Sequence, residues 1–426
     1  MTFFTNLYSI LWKVAAPIAA KNKRLVQGLE QRTLQTPLPK ADLWIQAASV
    51  GESQLAVQLV AELNRICKSP LKILITTNTK QGYDLLNNKL TDSANGVLST
   101  AVNYFPFDAP GTMKQAVSQV SPKAAILLET EIWPGFITAL KDTNTPIAVI
   151  NGRMRGSSLA AYLTVSKIFR PLAPQKVLAI SEKDAGRYRT LFPNTEASVV
   201  SNIKFDSIAA GKTIQRQNNP LGEFIAPRKQ FLVFGSIRKE EETLLCDMVT
   251  EIQRECPQAI LGIFPRHMHR VAPLKEQLQS AGFSVQLRSD LGQENEEKKP
   301  LPDGSIVIWD TIGELMGAYT LAKVAFVGGS LAKLGGQNFL ETAACGTVAV
   351  TGPSWSNFFW VGEEYFKTGC VVKKETSQEV TAELISLLKK APAKTTIKKA
   401  FTEYINPRKG GTKTACAAIA LMLKKG

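Results

Sequence analysis

From Asp42 onward the chain alternates short apolar runs with stretches of helical periodicity, and this alternation constrains the fold most strongly. It predicts βαβ units with a parallel sheet, because parallel strands are joined by crossover helices. The alternation stops over residues 203–230, where polar residues, glycines and prolines predict a linker, and then resumes. The predicted strands are 42–48, 72–76, 123–128, 146–150 and 176–180 before the linker, and 231–235, 259–264, 305–309, 323–327 and 347–351 after it.

The same pattern predicts the helices and one long loop. Helical stretches begin near residues 52, 79, 111, 132, 157 and 182, and the tail from about 376 predicts two or three helices without strands. Charged residues over 289–303 predict an exposed loop. We therefore expect two doubly wound α/β halves with a cleft between them. In such sheets, ligands bind outside the carboxyl ends of the strands.

Composition excludes several classes of protein. The chain has 426 residues, of which 44% are hydrophobic and 20% charged, which excludes a disordered chain, a collagen-like repeat and a polytopic membrane protein. Its six cysteines are widely spaced and never form a CxxC pair. This spacing favours a reducing compartment over a disulfide framework or a zinc knuckle.

The positive charge is concentrated at the two ends of the chain. The formal net charge is +15, to which residues 1–40 contribute +5 and residues 391–426 contribute +7. A nucleic-acid enzyme usually spreads basic charge along its groove, so the near-neutral middle argues against nucleic acid. Basic ends favour docking to an anionic surface, and the alternative is that they only aid solubility.

The first twenty residues predict an amphipathic helix rather than a helix that is apolar all round. Lys13 and Pro17 interrupt the apolar stretch, which argues against a full bilayer span. Lys21, Lys23 and Arg24 follow directly, as at a headgroup layer. The alternative is that this helix packs on its own domain. The apolar positions are Phe3, Phe4, Leu7, Leu11, Val14, Ala15 and Ile18.

Four charged residues stand at predicted strand ends or at the end of the first half. Glu52 opens the helix after the first strand, as a catalytic carboxylate or as an ordinary dipole-complementing Glu. Glu129 and Glu131 follow another strand, as functional groups or as a first-turn acidic cap. Lys204 ends the first half and either reaches the cleft or remains solvated.

In the second half, Gly235 and Ser236 form a turn before a helix, where backbone N–H groups can hold a phosphate. Arg266 and Arg270 can pair with phosphate or carboxylate. His267 and His269 lack a nearby third ligand, which argues against a metal site.

A glycine-rich run, Gly328 to Glu341, lies between a strand and a helix. Asn338 and Glu341 are one turn apart, and a carboxylate there can accept two hydrogen bonds from ribose hydroxyls. No Gly-Lys-Ser/Thr follows, so the run is not a Walker A loop. No GxGxxG follows the first strand, which argues against a dinucleotide oxidoreductase.

Taken together, these motifs resemble those of one family, the 3-deoxy-D-manno-octulosonic acid (Kdo) transferases of lipopolysaccharide synthesis. The resemblance covers about residues 42–365, and several independent motifs occur in the family's order. They are ASVGE, ETEIWP, NIKFD, PRH, DTIGELMGAYTLAKVAFVGGSL and GGQNFLE.

The resemblance implies a GT-B fold of two Rossmann-like domains facing a cleft. The acceptor is expected in the first domain and the CMP-sugar in the second. The implied domains are a membrane-associating helix at 1–24, an acceptor-binding domain at 25–210 and a CMP-sugar-binding domain at 211–395. A C-terminal helix at 396–426 is expected to cross back to the N-terminal domain.

The resemblance also assigns roles by motif. Glu52 stands where the family has its general base, and Glu129 and Lys204 stand where it has residues held to stabilise the transition state. Many members have His in place of Gln46, and a glutamine there is polar but lacks the pH-dependent charge. Many members also have His at the position of Gln337, and Ala or Pro at that of Thr342. The implied CMP-binding residues are Pro265, Arg266, Ile312, Gly313, Glu314, Asn338, Phe339, Leu340 and Glu341.

The implied reaction is an inverting transfer of Kdo from CMP-Kdo to a lipid A precursor, lipid IVA, at the cytoplasmic face of the bacterial inner membrane. The expected partners are the donor, the lipid acceptor and the anionic membrane surface, without nucleic acid. We expect no cofactor, and no metal, since no Asp-x-Asp stands at a suitable strand end. Two alternatives remain open. One is another GT-B enzyme, a transferase or epimerase of a UDP-sugar; the other is a non-enzymatic basic protein that binds nucleic acid or anionic lipid.

Overall fold

The computed structural model describes residues 8–12, 25–90, 97–208, 216–291 and 299–425. The chain divides into two compact units, Met1–Ser207 with Arg408–Gly426, and Ile208–Pro407. It leaves the first unit once and returns to it with its last helix.

The first unit is built on a parallel sheet that is apolar in its interior. Its strands are β1 (Leu43–Gln46), β2 (Leu71–Thr77), β3 (Leu98–Tyr104), β4 (Ala124–Leu128), β5 (Ile147–Gly152), β6 (Lys176–Ala179) and β7 (Glu196–Val199). Within the described residues their order is β3-β2-β1-β4-β5-β6-β7. Every residue of β1, β4 and β5 is buried, as expected for strands covered on both faces.

Helices cover the two faces of this sheet. They are α1 (Leu29–Arg32), α2 (Val50–Ile66), α3 (Lys80–Leu90), α4 (Pro110–Val120), α5 (Pro134–Asp142), α6 (Gly156–Thr164), α7 (Ser166–Phe169), α8 (Glu182–Leu191) and α9 (Lys204–Ser207). Short 3-10 turns lie at Arg170–Leu172 and, past the unit's end, Arg216–Asn218. The α2 helix shows how they form: Leu55, Leu59 and Leu63 recur at helical spacing and are buried, and Ser49 caps its N-terminus.

The last helix of the chain, α16 (Gly411–Lys425), packs into the first unit. Its Ala415, Cys416 and Ile419 are buried in the same apolar cluster as Leu59 of α2. The 3-10 turn Asn406–Arg408 lies where the chain passes from the second unit back to the first, just before this helix.

The second unit repeats the parallel architecture. Its strands are β8 (Phe231–Ile237), β9 (Ile260–Pro265), β10 (Val285–Leu287), β11 (Ile306–Ile308), β12 (Val324–Val327), β13 (Val348–Thr351) and β14 (Val371–Lys373). Its helices are α10 (Glu242–Glu255), α11 (Val271–Ser280), α12 (Leu315–Leu321), α13 (Leu340–Ala344), α14 (Ser377–Lys389) and α15 (Lys394–Ile405). Its 3-10 turns are Lys239–Glu241, Met268–Arg270, Arg288–Asp290, Ser356–Val361 and Glu363–Thr368. Within the described residues the strand order is β10-β11-β9-β8-β12-β13-β14.

The predicted fold class is confirmed, and each of the ten predicted strands overlaps an observed one. The four strands that were not predicted, β3, β7, β10 and β14, are the edges of the two sheets. Parts of the predicted linker and of the predicted charged loop, 209–215 and 292–298, lie outside the described residues.

Of the N-terminal helix predicted over residues 1–24, the structure describes residues 8–12, which are helical. The Tyr8 hydroxyl donates a 2.8 Å hydrogen bond to a carboxylate oxygen of Asp108. The remainder of this predicted helix lies outside the described residues. None of the helices in the described ranges is long and apolar enough to cross a membrane.

Candidate active site

The first unit has its topological switch point between β1 and β4. From β1 the chain proceeds to β2 and β3 on one side, and from β4 it proceeds to β5, β6 and β7 on the other. The loops after β1 and β4 therefore diverge at the carboxyl edge, where open α/β sheets bind ligands. Glu52 follows β1, and Glu129 and Glu131 follow β4, so the fold brings these predicted site residues to one crevice.

Glu52 is held almost fully buried, with 7% of its surface exposed. Its carboxylate accepts hydrogen bonds from the Ala48 N–H at 2.7 Å and the Ser49 hydroxyl at 2.9 Å. Burial raises the pKa of Glu52 above its ordinary value, and the charge of Glu129 adds to this. The two hydrogen bonds and the charge of Lys204 oppose the shift. A carboxylate with a raised pKa is a stronger base, as proton abstraction requires.

Glu129 is the anion of a charged network at the end of β4. Lys204 Nζ lies 2.6 Å from Glu129 Oε1, and Arg153 Nη1 lies 3.7 Å from Oε2. The Asn151 amide donates to Oε1 at 3.5 Å. The backbone of Glu129 has φ +57°, a conformation that is strained for a non-glycine residue, and the Tyr188 hydroxyl donates to its carbonyl at 3.0 Å. Strain of this kind concentrates at functional sites.

Glu131 differs from Glu129, because it forms no ion pair within the described part of the chain. Its carboxylate accepts a hydrogen bond from the Trp133 indole N–H. Burial, followed by the negative charge of Glu52, raises the pKa of Glu131 to about 7. The crevice thus holds three carboxyl groups. Glu129 is paired with cations, whereas Glu52 and Glu131 form no ion pair with any described residue.

The alternative that Glu129 and Glu131 form the acidic cap of α5 is wrong. The cap is Asp108, whose two carboxylate oxygens accept from the N–H groups of Gly135 at 3.0 Å and Phe136 at 2.7 Å. Sequence reasoning missed Asp108, because no local pattern links a residue to a helix that starts 26 positions later. Arg153 had no predicted role either, although the Asn-Gly-Arg motif at residues 151–153, which is close to the Asn-Ala-Arg of Kdo transferases, marks its position at the end of β5.

In the second unit the switch point lies between β8 and β12. The turn predicted at Gly235 and Ser236 is wrong, because both residues lie within β8, where the pairing with β9 shifts register between Phe234 and Ile237. Ser236 has φ +58°. A Cβ atom on Gly235 would lie 1.9 Å from the hydroxyl oxygen of Tyr319. Only glycine allows that close approach, so the buried tyrosine packs directly against the end of β8.

Pro265 ends β9, and Arg266 follows it with an exposed side chain. Among the described residues Arg266 forms no ion pair, and its backbone N–H donates to the carbonyl of Ile237 at 2.8 Å. Arg270, in contrast, is paired with the buried Glu242 through two hydrogen bonds of 3.0 and 2.5 Å. Of the two predicted anion-binding arginines, Arg266 is therefore the one whose side chain remains available to a ligand.

The rings of His267 and His269 stack with their centroids 5.6 Å apart, and both side chains are exposed. Across the described residues, no group of three or more His, Cys, Asp or Glu side chains is placed to hold a metal ion. The two histidines therefore form an exposed pair beside Arg266.

The carboxylate of Glu314 is engaged within the protein. Arg288 donates to its two oxygens at 3.0 Å each, and the Trp309 indole N–H donates at 2.9 Å. The two preceding residues form an open turn, since Gly313 has φ +96° and Ile312 is 86% exposed. Glu314 thus fixes this loop to the rest of the second unit. Ile312 and Gly313 form the part of the loop that is exposed to solvent.

The segment from Asn338 to Glu341 combines polar and core residues. The Asn338 amide donates to Glu341 Oε1 at 2.8 Å. Burial raises the pKa of Glu341, and the charge of Arg266 opposes that shift. The side chains of Phe339 and Leu340 are buried, so only the backbone of these two residues can contact a ligand.

Comparison with known proteins gives a consistent assignment. Residues 22–207 match the family model described as 3-deoxy-D-manno-octulosonic-acid transferase (kdotransferase). The chain is 26% identical over 391 residues to the 3-deoxy-D-manno-octulosonic acid transferase of Bordetella pertussis, covering 90% of this chain and 88% of that protein. It is 28% identical over 349 residues to the protein of the same name from Haemophilus influenzae, covering 80% and 78%. The chain is thus similar to Kdo transferases along most of its length. It is therefore a glycosyltransferase.

A solved structure supports the GT-B fold of this chain. The UDP-GlcNAc 2-epimerase of Neisseria meningitidis superposes with a TM-score of 0.55 at 13% identity. The superposition covers 90% of this chain and all of the other. At this identity the likeness shows the fold.

Gln46 stands where many Kdo transferases have His, and its side chain forms hydrogen bonds in the core of the first unit. Gln46 ends β1 fully buried, and Thr76 donates a 2.6 Å hydrogen bond to its Oε1. The indole N–H of Trp44 donates to the same threonine at 2.8 Å, and the Gln46 amide donates to Asn78 at 3.4 Å. The glutamine thus ties the end of β1 to the end of β2 and to Asn78 in the loop after it.

Proposed function

We propose that this protein moves Kdo from CMP-Kdo to a lipid A precursor, lipid IVA, with inversion at the anomeric carbon. The observation that carries the proposal is the buried Glu52 carboxylate at the switch point of the first unit, beside the Glu129–Lys204 ion pair. A nucleophilic hydroxyl needs a base, and a single base with no protein nucleophile gives one displacement and therefore inversion.

On the acceptor side, Glu52 takes the proton of the acceptor hydroxyl as that oxygen attacks the anomeric carbon of Kdo. The raised pKa of Glu52 supports this role, because it brings the base closer to neutral pH. Lys204 and Glu129 form a pre-organised charged pair with Nζ and Oε1 2.6 Å apart. We assign to this pair the electrostatic stabilisation of the transition state.

On the donor side, the leaving CMP phosphate needs compensation for its charge. Arg266 offers an exposed guanidinium with no ion pair among the described residues. The backbone N–H groups near Gly235 and Ser236 add donors at the end of β8. Asn338 and Glu341 offer an amide and a carboxylate to the ribose hydroxyls, and the loop with Ile312 completes the nucleotide site. We assign no role to a cofactor or a metal.

We further propose that the enzyme acts at the cytoplasmic face of the bacterial inner membrane, docked to anionic lipid. The exposed apolar side chains of Ile10 and Leu11, 58% and 57% accessible, support an interfacial contact for the first helix. The charge of +7 over residues 391–426 supports attraction to acidic headgroups. The proposed acceptor carries phosphate groups and is therefore negatively charged, as these headgroups are.

The test incubates the detergent-solubilised protein with CMP-Kdo and tetra-acylated lipid A precursor, and reads the products by mass. Glu52→Gln removes the base and Lys204→Met removes the cation. We expect product from the wild type, and losses of about 10²- to 10⁴-fold in turnover from the two variants, the range for removing a general base or a stabilising charge. The product mass also counts the sugars added.

Matched variants control for charge and folding. Glu62→Gln changes a carboxylate on the same helix, where it pairs with Arg65 at 2.6 Å on the surface. Lys176→Met breaks an ion pair of the same 2.6 Å length with the exposed Glu196. Both should keep wild-type turnover. Absence of product from folded wild-type protein, with UDP-GlcNAc consumed instead, would move the assignment to a UDP-sugar enzyme.

A further inference from the structure

A buried carboxylate in the second unit accepts four backbone N–H groups. Glu241, which is 1% exposed, takes hydrogen bonds from the N–H groups of Gly329 at 2.6 Å, and of Ser330 and Leu331 at 2.9 Å each. Its own loop adds the N–H of Arg238 at 3.3 Å. Within the described residues Glu241 forms no ion pair, so these amides alone satisfy its charge.

Three consecutive N–H groups that converge on one anion form a nest. The geometry requires a left-handed residue, and Gly329 supplies it with φ +68°. Nests at the carboxyl end of a strand in an α/β sheet commonly hold phosphate. Here Glu241 occupies that position, so the nest amides of residues 329–331 are not available to a phosphate.

The nest is connected by backbone hydrogen bonds to the proposed nucleotide site. The N–H of Gly336 donates to the Gly329 carbonyl at 2.8 Å, and the N–H of Gln337 donates to the Gly328 carbonyl at 3.0 Å. The next residue along the chain is Asn338. The nest therefore sets the start of the segment that ends at Glu341.

Backbone hydrogen bonds also connect the nest to the carboxyl end of β8. The N–H of Gly328 donates to the Gly235 carbonyl at 2.9 Å. A Cβ atom on Gly328 would lie 2.7 Å from the Ser236 carbonyl oxygen and 3.0 Å from Glu241 Oε2. Close packing thus places the carboxylate directly beside the end of β8 and the glycine-rich loop after β12.

We propose that Glu241 is a positioning residue of the nucleotide site. Its carboxylate fills the nest of residues 329–331 and fixes both the end of β8 at Gly235 and Ser236 and the segment that begins at Asn338. The single phosphate of the donor is consequently bound outside this nest, on the side of Arg266. This inference rests on the proposed function, because it takes a CMP-sugar as the ligand.

Two variants test the inference. Glu241→Ala empties the nest, and Glu241→Gln keeps the volume but places an amide NH2 against backbone N–H groups. We expect the Kd of CMP, measured by calorimetry, and the KM of CMP-Kdo to rise by at least about tenfold in both, roughly the loss of one charge-assisted hydrogen bond. The KM of the lipid acceptor should not change.

Acetate provides a readout that a purely structural role would not move. Added to Glu241→Ala, it supplies a carboxylate to the vacant nest and should restore most of the affinity for CMP. It should not improve CMP binding by the wild type or by Glu241→Gln, in which the nest is filled.

Glu242→Gln is the matched control. Glu242 is the next residue, is also buried, and pairs with Arg270 instead of the loop. We expect this variant to unfold at lower urea concentration, with the wild-type KM for CMP-Kdo and no response to acetate.

The outcomes separate the inference from the proposed function. Kdo transfer by the wild type, together with unchanged CMP affinity in a folded Glu241→Gln, would overturn the inference alone. A folded wild type that neither binds CMP nor transfers Kdo would overturn the proposed function and the inference with it. Equal losses in Glu241→Gln and Glu242→Gln, with no acetate rescue of Glu241→Ala, would also overturn the positioning role.

Discussion

Asp108 is a residue at which solution pH acts on the stability of the first unit. Its buried carboxyl group caps α5 and accepts the Tyr8 hydroxyl. Burial raises the pKa of Asp108 to about 7, although the N–H groups of Gly135 and Phe136 lower it in part. The native state therefore holds a proton on Asp108 between pH about 4 and 7, where the unfolded chain has released it.

The sign of the effect follows from this difference. The contribution of Asp108 protonation to stability is fully present below pH about 4 and is lost as pH rises to about 7, with a slope of at most about 1.4 kcal/mol per pH unit. We predict that Asp108→Asn, which cannot titrate, flattens the fall in the free energy of unfolding between pH 5 and 7. Urea unfolding of both proteins at pH 5, 6 and 7 measures this change in the free energy of unfolding.

Asp303→Asn is the control, since this exposed residue pairs with Lys229 on the surface. Its pH dependence should follow the wild type. If Asp108→Asn also follows the wild type over this range, Asp108 does not hold a proton in the native state.

Single residues also show the limit of prediction from sequence. Glu52 could be placed at the crevice because the strand and the helix that position it are its immediate neighbours. The pairing of Glu129 with Lys204 joins residues 75 positions apart, and only tertiary structure reveals it. The same holds for Glu241 and its amides 88 to 90 positions later. Local pattern gives strand ends, and the sheet topology decides which of them meet.

At the scale of secondary structure, one carboxylate fixes the start of α16 to the first unit. Asp206 accepts the N–H of Gly410 at 2.6 Å, and the N–H and hydroxyl of Thr412 at 2.7 Å each. Gln58 of α2 adds bonds to the Ile203 carbonyl and to Thr412. Asp206 therefore acts as the N-terminal cap of α16, although it lies 205 positions before that helix.

We predict that Asp206→Ala destabilises the docking of α16 by about 1–3 kcal/mol, because it leaves two backbone N–H groups without their acceptor. Hydrogen exchange of the amides of residues 412–424 should accelerate correspondingly.

Glu403→Gln provides the comparison, since it removes only a surface ion pair of α15 with Lys399. Its α16 amides should exchange at the wild-type rate. Unchanged exchange in Asp206→Ala would show that the apolar face of α16 alone holds the helix.

The edge strands explain where prediction of the elements failed. The interior strands are continuous apolar runs, which hydrophobicity detects readily. The edge strands contain partly buried and exposed residues, and β7 has no fully buried residue. An edge strand is covered on fewer sides and so needs fewer apolar residues. Its hydrophobicity is therefore too low to distinguish it from the surrounding loops. The sheet centre, and with it the switch points, remained predictable.

At the scale of the whole molecule, the unequal distribution of charge leads to a test of membrane docking. Lys413 and Lys424 are exposed on α16. We predict that Lys413→Glu with Lys424→Glu weakens binding to vesicles containing anionic lipid by at least about tenfold at moderate salt, since each basic residue contributes about 1 kcal/mol near such a surface. Sedimentation with vesicles measures it, and added salt should weaken the wild-type interaction as well.

Lys89→Glu with Lys114→Glu changes the net charge by the same amount on exposed positions of α3 and α4. This pair should bind almost as the wild type. Equal weakening by both pairs would attribute binding to overall charge, and wild-type binding to purely neutral vesicles would contradict the electrostatic account.

The return of the chain to its first unit has a consequence for synthesis on the ribosome. Residues 208–407 are made after most of the first unit has emerged and before the helix that completes its core. At about 5 to 20 residues per second this interval lasts about 10 to 40 seconds. During that time the apolar groove that later receives Ala415, Cys416 and Ile419 is exposed on the nascent chain. The domain that is translated first is therefore the last to finish folding.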